Sequence, residues 1–216
     1  MSQRTIYDIS PAIGEELAVW PGDTTPRREV LLDMSRGDNL TLSTLHATVH
    51  LGAHADAPSH YGPDAPSIDR RPLSPYLGRC RVLRLDVPQG TVLGRDAVPA
   101  SVGEERLLLA TGSYGDPSAF DEHYVSLSPG LVDVLHERGV RLVGVDTPSV
   151  DPFPSRELPA HNAFLRHDMS ILEGLVLKDV SEGVYELIAL PLRLVGFDAS
   201  PVRAILRSLP ELDAVS

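Results

Sequence analysis

The segment His50-Leu51-Gly52-Ala53-His54-Ala55-Asp56-Ala57-Pro58-Ser59-His60 restricts the folding of this chain more than any other stretch. Three of the chain's eight histidines, an aspartate and a serine fall within its eleven residues. Imidazole and carboxylate together suit zinc, iron or manganese; Ser59 is the weakest donor of the five. A helix would place His50 and His54 on one face, as in helical zinc proteases. Gly52 between them, Pro58 after them and the lack of a glutamate beside His50 all oppose that reading. At ~100° per residue Asp56 would also point away from His54. In an extended chain His46, Thr48, His50, Gly52, His54 and Asp56 share one face. A straight strand, rising ~3.3 Å per residue, still leaves His50 and His54 roughly 13 Å apart, too far to share an ion. A bend at Gly52 removes the difficulty, because glycine accepts torsions that other residues avoid. The expectation is a strand ending near His50, a kink at Gly52-Ala53, and a loop carrying Asp56 and His60. The competing reading is a hydrogen-bonded polar strand end without a metal.

Nineteen prolines and seventeen glycines in 216 residues imply many turns and short elements rather than a helical bundle. The pattern predicts strands over Thr5 to Ser10, Glu29 to Met34, Leu40 to His50, Arg79 to Val87, Arg106 to Thr111, Val140 to Val145, Ile171 to Leu177 and Tyr185 to Pro191. A helix is predicted over Ser128 to Arg138, with Ser128 as N-cap, Pro129 in the first turn and Gly139 as terminator. Ala160 to Asp168 reads as a short helix, and Pro201 to Leu209 as a closing helical turn or two. The fold class expected is α/β: a single compact mixed α/β domain over residues 1–216, rich in short strands with few helices.

The formal charge of -11 and the absence of a Lys/Arg patch argue against nucleic acid as a partner. Cys80 is the only cysteine, so no intrachain disulfide can form; it reads as a small buried hydrophobe. No apolar run approaches the ~18 residues of a spanning helix, and the first residues lack the apolar core of a secretory signal. The expectation is a cytoplasmic protein with no membrane partner.

Other residues bear on the site. Glu173 stands in the apolar run Ile171-Leu172-Glu173-Gly174-Leu175-Val176, where a carboxylate is costly unless paired or metal-bound. His161 and His167 are equivalent candidates by residue type. Trp20, the only tryptophan, sits in Val19-Trp20-Pro21-Gly22-Asp23, a turn near the surface where it serves either as a core anchor or as a pocket wall. His46 is expected to pack or hydrogen-bond. Asp146, Ser149 and Asp151 are expected to hold a turn beside the site, and His123 and His136 to lie on the surface.

The pattern His-x-Gly-x-His-x-Asp-x-Pro-x-His resembles the signature of the cyclase superfamily of metal-dependent hydrolases, with Ala53 where threonine is usual. Val19 to Asp23, Gly52 to Pro58, Asp146 to Ser149, Ile171 to Gly174, Glu186 to Arg193 and Asp198 to Arg203 are similar to the bacterial kynurenine formamidases (arylformamidases). The likeness runs from about Tyr7 to Arg207. It implies a swivelling-type β/β/α fold, a homodimer, two zinc ions per subunit (manganese or another divalent metal being alternatives), and hydrolysis of N-formyl-L-kynurenine to L-kynurenine and formate in tryptophan degradation. It further implies His50, His54, Asp56, His161 and Glu173 as metal ligands, with Asp56 and Glu173 able to bridge. His60 matches the acid/base position and Trp20 the contact with the substrate's aromatic ring.

The chemistry is coherent. A formamide carbonyl is a poor electrophile and water a poor nucleophile, and a divalent metal remedies both. An aryl amine must be protonated as it leaves, which suits a histidine near the metals but not bound to them. Two rivals remain at this stage: a related hydrolase acting on a cyclic amide such as isatin, and a non-catalytic metal-binding protein.

Overall fold

The computed structural model describes residues 4–210. In chain order its strands and helices are β1 (Ile6–Asp8), β2 (Arg27–Leu32), β3 (Leu42–His46), β4 (His54–Asp56), β5 (Leu77–Arg84), β6 (Val92–Leu93), β7 (Arg106–Ala110), β8 (Ser126–Leu127), α1 (Pro129–Glu137), β9 (Leu142–Val145), α2 (Pro159–Arg166), β10 (Ser170–Glu173), β11 (Gly183–Ile188), β12 (Ala199–Pro201) and β13 (Ile205–Ser208). Strands outnumber helices, as the proline and glycine content implies, and the fold is the mixed α/β class expected.

Nine strands form one curled sheet in the order β1-β13-β11-β5-β7-β9-β10-β4-β12. The centre, β5-β7-β9-β10, is parallel, and both flanks are antiparallel. Strands buried on both faces read as unbroken apolar runs, and Arg106-Leu107-Leu108-Leu109-Ala110 is such a run. Leu107 and Leu109 point to one face, where Leu131, Val132 and Leu135 of α1 and Ala160, Ala163 and Phe164 of α2 cover them. Leu108 and Ala110 point to the other, which the curl of the sheet encloses with Ala55, Leu187 and Leu206. Ile9 helps close that curl by donating to the Ala204 carbonyl and accepting from the Val176 amide.

Helix α1 starts as its sequence dictates: the Ser128 hydroxyl accepts from the Leu131 amide and Pro129 occupies the first turn. The closing segment differs from the helical expectation. Val202, Ala204 and Leu206 are all buried at a spacing of two, so this stretch is extended and β13 pairs with both β1 and β11. The strand expected over Ile171 to Leu177 ends at Glu173, because Gly174 takes a φ of 66°. The histidine segment also differs in detail. β3 ends at His46, His50 lies in a bend, and the strand proper follows the kink, with Asp56 inside β4 and His60 in a single 3-10 turn, Pro58–His60. Gly52 is the hinge expected, at a φ of 54°.

The two glycines meet. A Cβ on Gly174 would run into the Gly52 carbonyl, and one on Gly52 would stand 2.8 Å from Pro11 Cγ. Gly174→Ala therefore combines a left-handed backbone with a backbone clash, and is expected to destabilise the fold by at least about 2 kcal/mol. Urea unfolding checks this; a loss below about 0.5 kcal/mol, within the ordinary range for surface substitutions, would mean that this contact does not constrain the fold.

Candidate metal centre

The site forms where β4 meets β10. His54 pairs with Glu173 and Asp56 with Ile171 across the two strands. Alternation then puts His54, Asp56 and Glu173 on the helix-covered face, while Ala55 and Leu172 face the opposite core. Helix α2, packed over this face, brings His161 in from above. The bend before β4 returns His50 to the same point, its ring centroid 5.1 Å from that of His54. The 3-10 turn sets His60 beside it, with ring centroids 4.2 Å apart.

The polar atoms converge without bonding to one another. His54 Nε2 lies 3.5 Å from Asp56 Oδ1 and 3.4 Å from Glu173 Oε2. His161 Nε2 lies 3.4 Å from Asp56 Oδ2 and 3.6 Å from Glu173 Oε1, and His50 Nδ1 is 3.2 Å from Asp56 Oδ1. Among the described residues His54 Nε2, His161 Nε2 and both Asp56 oxygens are buried with no hydrogen-bond partner. Buried polar atoms are rarely left so. Ligands each ~2.0–2.1 Å from a tetrahedral zinc ion stand roughly 3.3 Å apart. The spacing and the orphaned atoms therefore fit a divalent ion, and the His/carboxylate donors suit zinc or manganese.

The outward-facing atoms of the same rings are tied down. His54 Nδ1 is 2.8 Å from the Gly52 carbonyl, and His161 Nδ1 is 2.7 Å from Asp151 Oδ2. Asp151 also accepts from the Ala160 and His161 amides, so one carboxylate both caps the first turn of α2 and aims its histidine. Glu173 Oε1 accepts from the Val150 amide. Burial pulls the His161 pKa down, but Asp151, Asp56 and Glu173 outweigh it and hold it at about 10. His50 behaves likewise: burial lowers its pKa, and Asp56 and Asp198 lift it to about 9. Burial pushes the Asp56 pKa up, yet the surrounding histidines hold that carboxyl well below the usual range. In the absence of an ion, then, protons on His50 and His161 balance the carboxylates.

A cavity of about 700 Å³ opens over the cluster. Gly112 and Tyr114 follow β7, Asp146 and Ser149 follow β9, and the chain from Glu173 onward follows β10; all line it. It thus sits outside the carboxyl ends of the parallel strands, the usual ligand position in an open α/β sheet. Trp20 is in its wall, 38% exposed, with ring centroids 5.0 Å from Phe153 and 5.3 Å from Phe120.

A family model described as "Putative cyclase" matches residues 7–152, more than half of the 216 residues. The chain belongs to the cyclase family. Solved structures agree along nearly the whole chain. A potential metal-dependent hydrolase with cyclase activity superposes with a TM-score of 0.83 at 26% identity, covering 96% of this chain and 100% of its own. A predicted metal-dependent hydrolase from Bacillus stearothermophilus gives 0.81 at 27%, covering 96% and 100%. An isatin hydrolase bound to the product analogue thioisatinate gives 0.78 at 20%, covering 96% and 93%, a likeness of fold.

In this cyclase-family chain all six residues singled out between His50 and Glu173 as ligands or acid/base come together at one point, and Trp20 lines the cavity above. His167 does not join them: it bonds Asp133 at 2.8 Å and stacks on the half-buried His136. His46 binds Glu29 across the β2–β3 ribbon at 2.7 Å. Sequence reasoning missed Asp198 as a site residue. Its Oδ2 lies 3.1 Å from His50 Nε2 and 3.4 Å from His60 Nδ1, and only the pairing of β12 with β4 brings it there. Asp151 was read as a turn residue, whereas it orients His161. Asp151→Asn is expected to weaken zinc binding about 10–100-fold, measured by competition with a chromogenic chelator. Asp133→Asn, which frees His167 outside the cluster, is the control; equal affinity for both variants and the wild type would remove Asp151 from the centre.

Proposed function

We propose that this cyclase-family chain is a metal-dependent amide hydrolase, and that its substrate is N-formyl-L-kynurenine, cleaved to L-kynurenine and formate. The observation that carries the hydrolase reading is the set of buried, unpaired histidine and carboxylate atoms at the floor of an aromatic-walled cavity. His50, His54, Asp56, His161 and Glu173 would hold the metal. Bound there, a divalent ion supplies Lewis acidity and activates water at neutral pH.

The chain's own residues do the rest. Trp20, with Phe120 and Phe153 beside it, offers a flat apolar surface for an aryl ring and leaves the amide facing the histidines. His60 is the most solvent-accessible histidine of the cluster, and Asp198 beside Nδ1 leaves its Nε2 to exchange protons. As water adds to the formyl carbon and the C–N bond breaks, His60 delivers the proton that the departing aryl amine needs. Burial of the floor limits access by bulk water.

His60→Ala is expected to lower kcat on formylkynurenine by about 10²–10⁴ with metal content unchanged by elemental analysis. Unaltered turnover would reject His60 as the acid/base. The isatin-hydrolase neighbours favour a second reading, hydrolysis of a cyclic amide by the same centre. Steady-state rates on formylkynurenine and isatin separate the two, and a preference for isatin would reject the first.

The reading includes a homodimer. Among the described residues the β2–β3 ribbon pairs with no other strand, and it leaves Leu31, Leu42 and Leu45 50%, 47% and 60% exposed. A two-stranded ribbon is marginal in water by itself, and a second copy would supply the missing cover. Leu45→Glu is expected to shift the protein from dimer to monomer in sedimentation velocity. A monomeric wild type would reject the assembly.

A further inference from the structure

We infer that Lys178 is a carboxylate-binding position at the outer end of the cavity, selecting aryl amides that carry an anionic group remote from the amide. The inference rests on the hydrolase reading above and adds a specificity residue to it. Lys178 is the only lysine in a chain of net charge -11. It lines the same cavity as His54 and Glu173, and among the described residues its ammonium makes no ion pair or hydrogen bond. The chain leaves the metal cluster at Glu173 and runs along the cavity wall through Leu175, Val176 and Leu177 to reach it.

The position is built. Arg84 also lines the cavity, but its Nη1 donates to the carbonyls of Leu177, Lys178 and Val180 at 3.1, 3.4 and 2.7 Å. Its Nη1 is thereby held on the backbone, where it pins the turn carrying Lys178. The amide has to sit over the floor, where His54, His161 and Glu173 line the cavity, so a group remote from the amide extends away from it. An anionic tail there meets Lys178, the one lysine or arginine on the lining whose charged group makes no bond among the described residues. An uncharged cyclic amide gains nothing from it. Because Lys178 is exposed, the pair is expected to be modest and weakened by salt.

Two matched probe pairs test this. Kinetics compare N-formyl-L-kynurenine with 3-amino-1-(2-formamidophenyl)propan-1-one, which keeps ring, ketone, formamide and ammonium but lacks the carboxylate. Calorimetric binding compares L-kynurenine with kynuramine, its decarboxylated amine, on the metal-loaded enzyme. Lys178→Met is expected to raise KM for formylkynurenine and Kd for kynurenine about two- to fivefold, leaving the probes without a carboxylate unchanged, and Lys178→Arg is expected to restore most of the difference. If neither formamide turns over but kynurenine binding still depends on Lys178, the formamidase reading fails and this inference stands. Equal losses on probes with and without the carboxylate, no loss on either, or no kynurenine binding to the wild type would overturn it.

Discussion

Both oxygens of Asp56 are buried with no donor bonded to them, and three histidines point at that carboxylate from three parts of the chain. Burying one carboxylate is expensive, and Glu173 adds a second on the neighbouring strand. The arrangement is tolerable only when positive charge is placed among them, either as protons on His50 and His161 or as a metal ion. Much of the local architecture can be traced to that need. β4 is only three residues long, yet it is clamped between β10 and β12 so that His54 and Asp56 share a face. Gly52 and Gly174 meet because the bend that returns His50 must pass close to the end of β10.

The same constraint gives α2 a second function. It covers the apolar face of the parallel strands through Ala160, Ala163 and Phe164, and it carries His161 from its first turn into the carboxylate pair. Asp151 joins these roles, since one side chain satisfies the free amides of the helix start and fixes the outer nitrogen of the imidazole. Packing and ligand orientation are thus coupled. The cavity above follows from topology, because the loops after β7, β9 and β10 diverge at the carboxyl ends of the parallel strands and leave a space that Trp20 and Phe120 wall off.

The legible parts of this protein were those written in local pattern. Helix α1 could be read from Ser128, Pro129 and Gly139, and the buried strands from their apolar runs. The Gly52 hinge followed from the impossibility of bringing His50 and His54 together on a straight strand. The misreadings share a cause. Val202, Ala204 and Leu206 alternate, but the alternation becomes visible only once β1 and β11 are there to bury it. The carboxylate of Asp198 is recognisable as part of the centre only after β12 pairs with β4, almost 150 residues away in sequence.

Residue type and spacing alone marked His50, His54, Asp56 and His60 as residues able to hold or work beside a metal, because imidazole and carboxylate chemistry and the reach of a bent chain are local properties. Glu173 was marked by the cost of its apolar surroundings. The choice of His161 over His167 could not be made from the chain's own pattern without the family resemblance. The tertiary structure separates them physically: α2 turns His161 inward against Asp151, while His167, just past its last residue, bonds Asp133. Asp151 and Asp198 gained their positions in the same way, through helix packing and strand pairing, since no local spacing encodes which distant side chain will complete a charge cluster.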